Sequence, residues 1–259
     1  MKEIKLLALG DVVRPVSCDH IAKNLWSFRK ENNIDLVVAN GENSSENGGI
    51  DRNSAETLLS YGVDVITTGN HVFKSYDSKK LLDENKFVIR PANYPDSLPG
   101  YGYTLFNTAC KTFLFMNVMG VVMMEPLADP FDTVEKILEK NNGKYDIAVL
   151  DIHAEATSEK RALAFYFDGK INAVFGTHTH VQTADEQIMP AGTAYITDLG
   201  MCGPDDSVLG VDSKCIIEKL RMHTPVKFTV SGTKVTAHGA VFTFDAVTGK
   251  AISVERVSF

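Results

Sequence analysis

The sequence predicts an α/β fold of two stacked sheets with helices on the outer faces. Three observations carry that reading. Short runs nearly continuous in Val, Ile and Leu recur through most of the chain, as strands buried on both faces do. Amphipathic stretches separate them, the rhythm of parallel strands joined by crossover helices. From residue 226 to 259, polar and apolar residues instead alternate around Ser231-Gly232 and Thr248-Gly249, the pattern of antiparallel hairpins.

In chain order, the buried runs place strands at residues 4–10, 34–40 and 63–69. Helices fall between them at about 19–31 after Ser17, and at about 52–61 after Asp51, which suits an N-cap. A third helix is expected at about 75–84. The middle repeats the theme, with strands at 112–118, 146–152, 173–176 and 193–197 and helices at about 131–141, 159–168 and 213–222. No internal repeat, low-complexity tract or linker interrupts this order, so residues 1–259 are expected to form a single domain.

Composition narrows the class. With 44% hydrophobic and 23% charged residues the chain can bury a sizeable core. A net charge of −7 argues against broad, sequence-independent nucleic-acid binding by a basic face. Small anionic substrates remain compatible with it, because bound metal ions reverse the local potential. The apolar segment 4–10 is short and runs into polar residues without a cleavage-like site, so no signal peptide is read. No stretch approaches the roughly 18–20 apolar residues of a membrane span. Cys18, Cys110, Cys202 and Cys215 are scattered, with no CxxC pair. Reduced thiols and a cytoplasmic location are the expectation.

The informative residues fall where the strands end. Gly10-Asp11 closes the first, Gly41-Glu42-Asn43 the second and Gly69-Asn70-His71 the third. Later, Asp151-Ile152-His153-Ala154-Glu155 and Gly176-Thr177-His178-Thr179-His180 close two more. Ligands of open α/β sheets bind outside the carboxyl ends of the strands, so five strand ends deliver acid, amide and imidazole groups to one rim. Read singly, Asn40, Asn43 and Asn70 also suit left-handed turns, and a Gly-Asp pair suits any loop. His20, His223 and His238 lie outside these ends and read as surface or satisfied core residues. The joint occurrence decides for function.

Oxygen and nitrogen donors without thiolates suit Fe, Mn, Zn or Ni rather than a structural zinc site. They are too many for one catalytic metal. A pair of ions about 3.5–4 Å apart, sharing one carboxylate, uses them economically, lowers the pKa of a bridging water and clamps phosphoryl oxygens. Glu42 is the candidate bridge, its motif lying between two others on what reads as the central strand.

The order GD…GEN…GNH…DIHAEATSEK…GTHTHVQTAD…TDLGMCGPDDSVLG resembles the YmdB-like metallophosphoesterases, a bacterial branch of the calcineurin-like superfamily. The resemblance spans essentially the whole chain. It implies a four-layer αββα sandwich of two mixed sheets, a di-iron or manganese centre, and phosphodiesterase activity, notably on 2′,3′-cyclic nucleotides, by attack of a metal-bridging hydroxide. Carried over by motif, Asp11, Glu42, Asn43 and His180 would hold one metal; Glu42, Asn70, His153 and His178 would hold the other. His71 would be the general acid that protonates the leaving alkoxide. Glu155, Thr157 and Asp185 would orient the ligand imidazoles. The family also tends to self-associate, which implies a homo-oligomer.

Two departures stand out. Most of the superfamily has Asp-Xaa-His at the first strand end, whereas Val12-Val13 follow Asp11 here, as in this branch generally. The branch usually has glycine, then another glycine and a basic residue, where this chain has Arg14-Pro15-Val16-Ser17. Arg14 either reaches a substrate phosphate or is solvated. Two other functions fit the same residues: a regulatory nucleotide- or partner-binding protein on a phosphoesterase scaffold, and a phosphomonoesterase.

Overall fold

A computed structural model describes residues 3–229 and 234–259 of the chain. The first half runs β1 (Glu3–Val13), α1 (Arg14–Asn32), β2 (Leu36–Asn43), α2 (Arg52–Ser60), β3 (Val65–Thr67) and α3 (Ser78–Glu84). The middle follows with β4 (Tyr103–Asn107), β5 (Thr112–Met119), α4 (Pro130–Lys140), β6 (Ile147–His153), α5 (Thr157–Tyr166) and β7 (Ala173–Thr177). The remainder comprises β8 (Gln187–Ile188), β9 (Ala194–Ile196), β10 (Met201–Pro204), α6 (Ser213–Met222), β11 (Val235–Asp245) and β12 (Ala251–Ser258).

Two mixed sheets result. The first has the order β12-β11-β10-β1-β2-β3 and the second β4-β5-β6-β7-β9-β8. Side-chain alternation on β1 and β2 shows why they stack. Leu6, Ala8, Leu36 and Val38 point into the core between the sheets, against Phe113, Phe115, Val149 and Phe175. Leu7, Leu9, Val37 and Ala39 point the other way, under Ile21 and Leu25 of α1, Leu58 of α2 and Leu82 of α3. On the far side, Val134 of α4 and Leu163 of α5 cover Leu114, Leu150 and Val174 of the second sheet. A strand with period two can be apolar throughout only if both faces are covered. The outcome is the expected four-layer αββα sandwich.

β1 changes partners halfway along. Glu3 to Leu9 pair antiparallel with β11, while Asp11 and Val12 pair parallel with Met201 and Cys202 of β10. Its register with β2 also slips between Leu9 and Asp11 and again before Val13. Such bulges re-aim side chains. Gly10 allows the crossing, since a Cβ there would lie 2.0 Å from the Gly200 carbonyl oxygen.

Several expectations are corrected. α1 starts at Arg14 rather than at residue 19, because Pro15 fits the first turn of a helix. Ser17 does not cap it; its hydroxyl donates back to the Val13 carbonyl at 2.6 Å. β2 runs on through Gly41-Glu42-Asn43, and β2 lies one strand from the β3 edge rather than at the centre. The short strands β4, β8 and β10 were not expected. Hairpin geometry begins only at Val235, residues 226–229 being irregular. The turn read at Ser231-Gly232 lies outside the described residues. The turn at Thr248-Gly249 closes β11 onto β12, with Asp245 and Lys250 paired and Gly249 at φ +74°. Asp51 does cap α2, accepting from the Ser54 amide at 2.8 Å. Among the described residues no helix is long and apolar enough to cross a membrane.

Candidate metal centre

The parallel strands of both sheets end at one rim, and the expected residues meet there. The first sheet supplies Asp11 from β1, Glu42 and Asn43 from the end of β2, and Asn70 and His71 just beyond β3. From the second sheet come His153 at the end of β6 and His178 and His180 just beyond β7. Asp11, Glu42 and His153 are essentially inaccessible to solvent.

The centre is organised around the His153 ring. Its Nε2 lies 3.0 Å from Asn70 Oδ1, 3.1 Å from His178 Nδ1 and 3.2 Å from Glu42 Oε1. Hydrogen bonding behind the ring fixes the tautomer. The Thr177 hydroxyl donates to Asp151 at 2.8 Å, so its oxygen accepts the His153 Nδ1 proton across 2.9 Å. In the neutral ring Nε2 then carries the lone pair. His178 is set in the same way, because its Nε2 faces the Glu155 carboxylate at 3.2 Å and its Nδ1 is left as an acceptor. Two nitrogens and two oxygens thus aim lone pairs at each other, an arrangement that only a positive charge among them reconciles.

Asp11 points to the same conclusion. Its Oδ2 accepts from the His178 amide at 3.0 Å, but Oδ1 is buried without a hydrogen bond, 3.6 Å from His180 Nε2 and 4.0 Å from His153 Nδ1. A buried carboxylate oxygen left unpaired is costly. Ligand atoms of Glu42, His153 and His178 all lie within 4.8 Å of one another. The donors are carboxylate, amide and imidazole, with no thiolate. This set fits a metal cation.

The electrostatics agree. Burial raises the Asp11 carboxyl, yet His180 and His153 outweigh it and hold the group below the usual carboxylate range. Burial likewise raises Glu42, and His153 and His71 bring it well below. Burial disfavours a charge on His153, but Glu42 and Asp11 lift it to about 9. His180 is raised against burial by Asp11, whereas burial and the neighbouring His153 lower His178. Two buried carboxylates demand positive charge. A proton shared by Glu42 and His153 is one way to supply it, a bound cation another.

His71 stands at the mouth, its side chain 40% exposed. Its amide donates to Glu42 Oε2 at 2.9 Å, and its Nδ1 lies 3.1 Å from Asn43 Oδ1 and 3.4 Å from Glu42 Oε1. Because Asn43 gives its own Nδ2 to Glu42 at 3.0 Å, its Oδ1 is free to accept. Gly69 brings the first sheet close. A Cβ there would lie 2.3 Å from His153 Nε2 and 2.4 Å from Glu42 Oε2.

Of the residues expected to orient the imidazoles, Glu155 does face His178. Thr157 instead lies exposed in the first turn of α5. Asp185 receives hydrogen bonds from Thr183 and Thr197 and so ties down the strand-end loop. The residues that do stand behind His153 are Thr177, Asp151 and Asn40. Asn40 is no turn former: its Nδ2 crosses between the sheets to Asp151 at 3.1 Å and Thr177 at 3.3 Å, and its Oδ1 accepts from the Glu42 amide. Thr67 also crosses to Asp151. A buried Asp preceding His153 by two, hence on the same face of β6, was the available signal. Cys18 and Cys202 are buried thiols whose pKa burial raises, Cys18 to about 12, which disqualifies them as nucleophiles.

Two sheets with helices outside, and acid, amide and imidazole groups gathered at their common rim, define the calcineurin-like metallophosphoesterase fold. Within it the chain belongs to the YmdB-like protein family, whose pattern matches residues 7–257. A Bacillus subtilis relative named 2′,3′-cyclic-nucleotide 2′-phosphodiesterase is 38% identical over 98% of this chain and 96% of its own. The crystal structure of a hypothetical protein from Thermus thermophilus superposes with a TM-score of 0.92 at 36% identity, covering 99% of both chains. That of a Mycoplasma pneumoniae protein described as a novel phosphatase also gives 0.92, at 33% identity, covering 100% of this chain and 94% of that one.

Proposed function

We propose that this chain is a metal-dependent phosphodiesterase acting on small phosphodiesters such as 2′,3′-cyclic nucleotides. It is an enzyme, a phosphoric-ester hydrolase. The observation that carries the reading is the convergence of unshared electron pairs from His153, His178, Asn70 and Glu42, beside the orphaned oxygen of Asp11. The name of the B. subtilis relative supports the substrate class.

In this reading Asp11, Glu42, Asn43 and His180 hold one cation, iron or manganese. Glu42, Asn70, His153 and His178 hold a second, Glu42 serving both. Such a pair supplies Lewis acidity to the phosphoryl oxygens and a nucleophile from water near neutral pH. The chain's own residues do the rest. Asn43 and Glu42 fix the His71 ring through Nδ1, so that the protonated imidazole can give its proton to the departing alkoxide.

The test combines metal analysis of protein purified without chelators with turnover of 2′,3′-cyclic AMP and aryl phosphate mono- and diesters. About two ions per chain and faster diester cleavage are expected. His71→Ala should keep its metals and lose about 10²–10⁴ in rate. Retained metals with an unchanged rate would remove His71 from its role. Faster monoester cleavage would favour a phosphomonoesterase, the reading suggested by the description of the Mycoplasma structure.

A further inference from the structure

His178 and His180 both have left-handed backbones, at φ +96° and +64°, which non-glycine residues adopt only when their surroundings dictate it. Asp11 accepts from the His178 amide at 3.0 Å, and a second carboxylate, that of Asp198, holds the residue between the histidines. Asp198 Oδ2 accepts from the Thr179 amide at 3.2 Å and the Thr179 hydroxyl at 2.7 Å, gripping the residue between the two histidines. Its Oδ1 accepts from the Gly200 amide at 2.8 Å. The Gly200 carbonyl in turn accepts from the Asp11 amide at 3.1 Å. One side chain therefore holds both the histidine loop and the end of β1.

Asp198 can be a buried anion because Lys160 neutralises it, Nζ to Oδ2 at 2.7 Å, with both side chains at most 1% exposed. The amine comes from α5, below the loop. Its path is cut through Gly176, where a Cβ would lie 2.7 Å from Lys160 Cδ and 3.0 Å from Cε. Full burial of a lysine with one partner is unusual for a residue that serves stability alone, since apolar side chains of that size fill space at lower cost.

We propose that the buried Lys160–Asp198 pair is a positioning element for the metal centre, fixing His178, His180 and Asp11 through Thr179 and Gly200. This rests on the metal-centre reading above. Neither residue touches the cation cage itself; they set the geometry of the groups that do. Residues with that duty typically change metal affinity about 10–100-fold when altered.

The experiment titrates Mn²⁺ into metal-stripped protein by calorimetry and follows thermal melting in parallel. Thr179→Val removes one grip on the loop and leaves the ion pair intact. It should weaken at least one Mn²⁺ site about tenfold or more, with little change in melting temperature. Lys160→Met should weaken binding and lower the melting point. In the double variant Lys160→Met/Asp198→Asn, removal of both charges should recover stability while Mn²⁺ affinity stays low. If Thr179→Val binds like the parent, or the double variant regains affinity together with stability, the pair is merely structural and the proposal fails. A parent chain that binds no Mn²⁺ would sink the metal-centre reading instead, and this proposal with it.

Discussion

On the first sheet, Asp11, Glu42, Asn43 and Asn70 are aimed by the backbone: a register slip in β1, the continuation of β2 past Gly41, and the close approach allowed by Gly69. On the second sheet, His153 is aimed by side chains stacked behind it, Thr177 then Asp151, with Asn40 and Thr67 reaching across from the first sheet. Oxygen donors are short, so the chain must bring them to the place; imidazoles are long and must be kept from rotating. The difference teaches that the two halves of one centre fail in different ways. A changed carboxylate removes charge and a changed amide removes an oxygen donor, whereas a changed support behind an imidazole removes orientation.

The largest effect is expected from Glu42→Gln, which keeps shape but deletes the charge lying between His153 and His71. Metal content should fall from roughly two ions per chain to one or fewer, and the rate by about 10³-fold or more. Elemental analysis and diester turnover measure both; full occupancy would mean that Glu42 is not shared. A smaller effect is expected from Thr177→Val, which leaves the His153 Nδ1 proton without its acceptor. Metal affinity should drop about 10–100-fold, read by calorimetric titration. Unaltered affinity would show that the ring is held by packing and not by the stack.

The smallest effect concerns pH. In metal-free protein His153 is raised from 6.5 to about 9, so its stabilising charge is fully present below pH 6.5 and is lost as pH rises through 9. Glu42 is depressed below 4.5, so its contribution is present above that pH and is lost on acidification. The melting temperature should therefore decline between pH 6.5 and 9, and Mn²⁺ should flatten that decline by taking the place of the proton. Alkaline limbs that coincide with and without Mn²⁺ would break the link between the two states.

The sandwich was readable because runs such as Leu6–Leu9 and Val37–Ala39 have no polar face to give to water. The gathering of Asp11, Glu42, His153, His178 and His180 at one rim was readable because they stand at the carboxyl ends of such runs. β10 was not, since Met201-Cys202-Gly203-Pro204 has little strand propensity and is ordered by its neighbours β1 and β11. The start of α1 was misplaced because Ser17 looked like a cap while Pro15 was the real signal. Lys160 and Asp198 lie 38 residues apart and look solvated in sequence, because burial of a charge depends on a partner that only the fold supplies.

Gly69 has a consequence for variation. Unlike Gly48 and Gly49 earlier in the same half of the chain, its φ is not in the left-handed region, so an alanine would suit its backbone. What forbids it is the ring and the carboxylate on either side. Alanine, ordinarily the mildest replacement, would therefore be expelled by library selection about as firmly as larger residues, and the position would score as catalytic in a mutational scan without bearing a reactive atom.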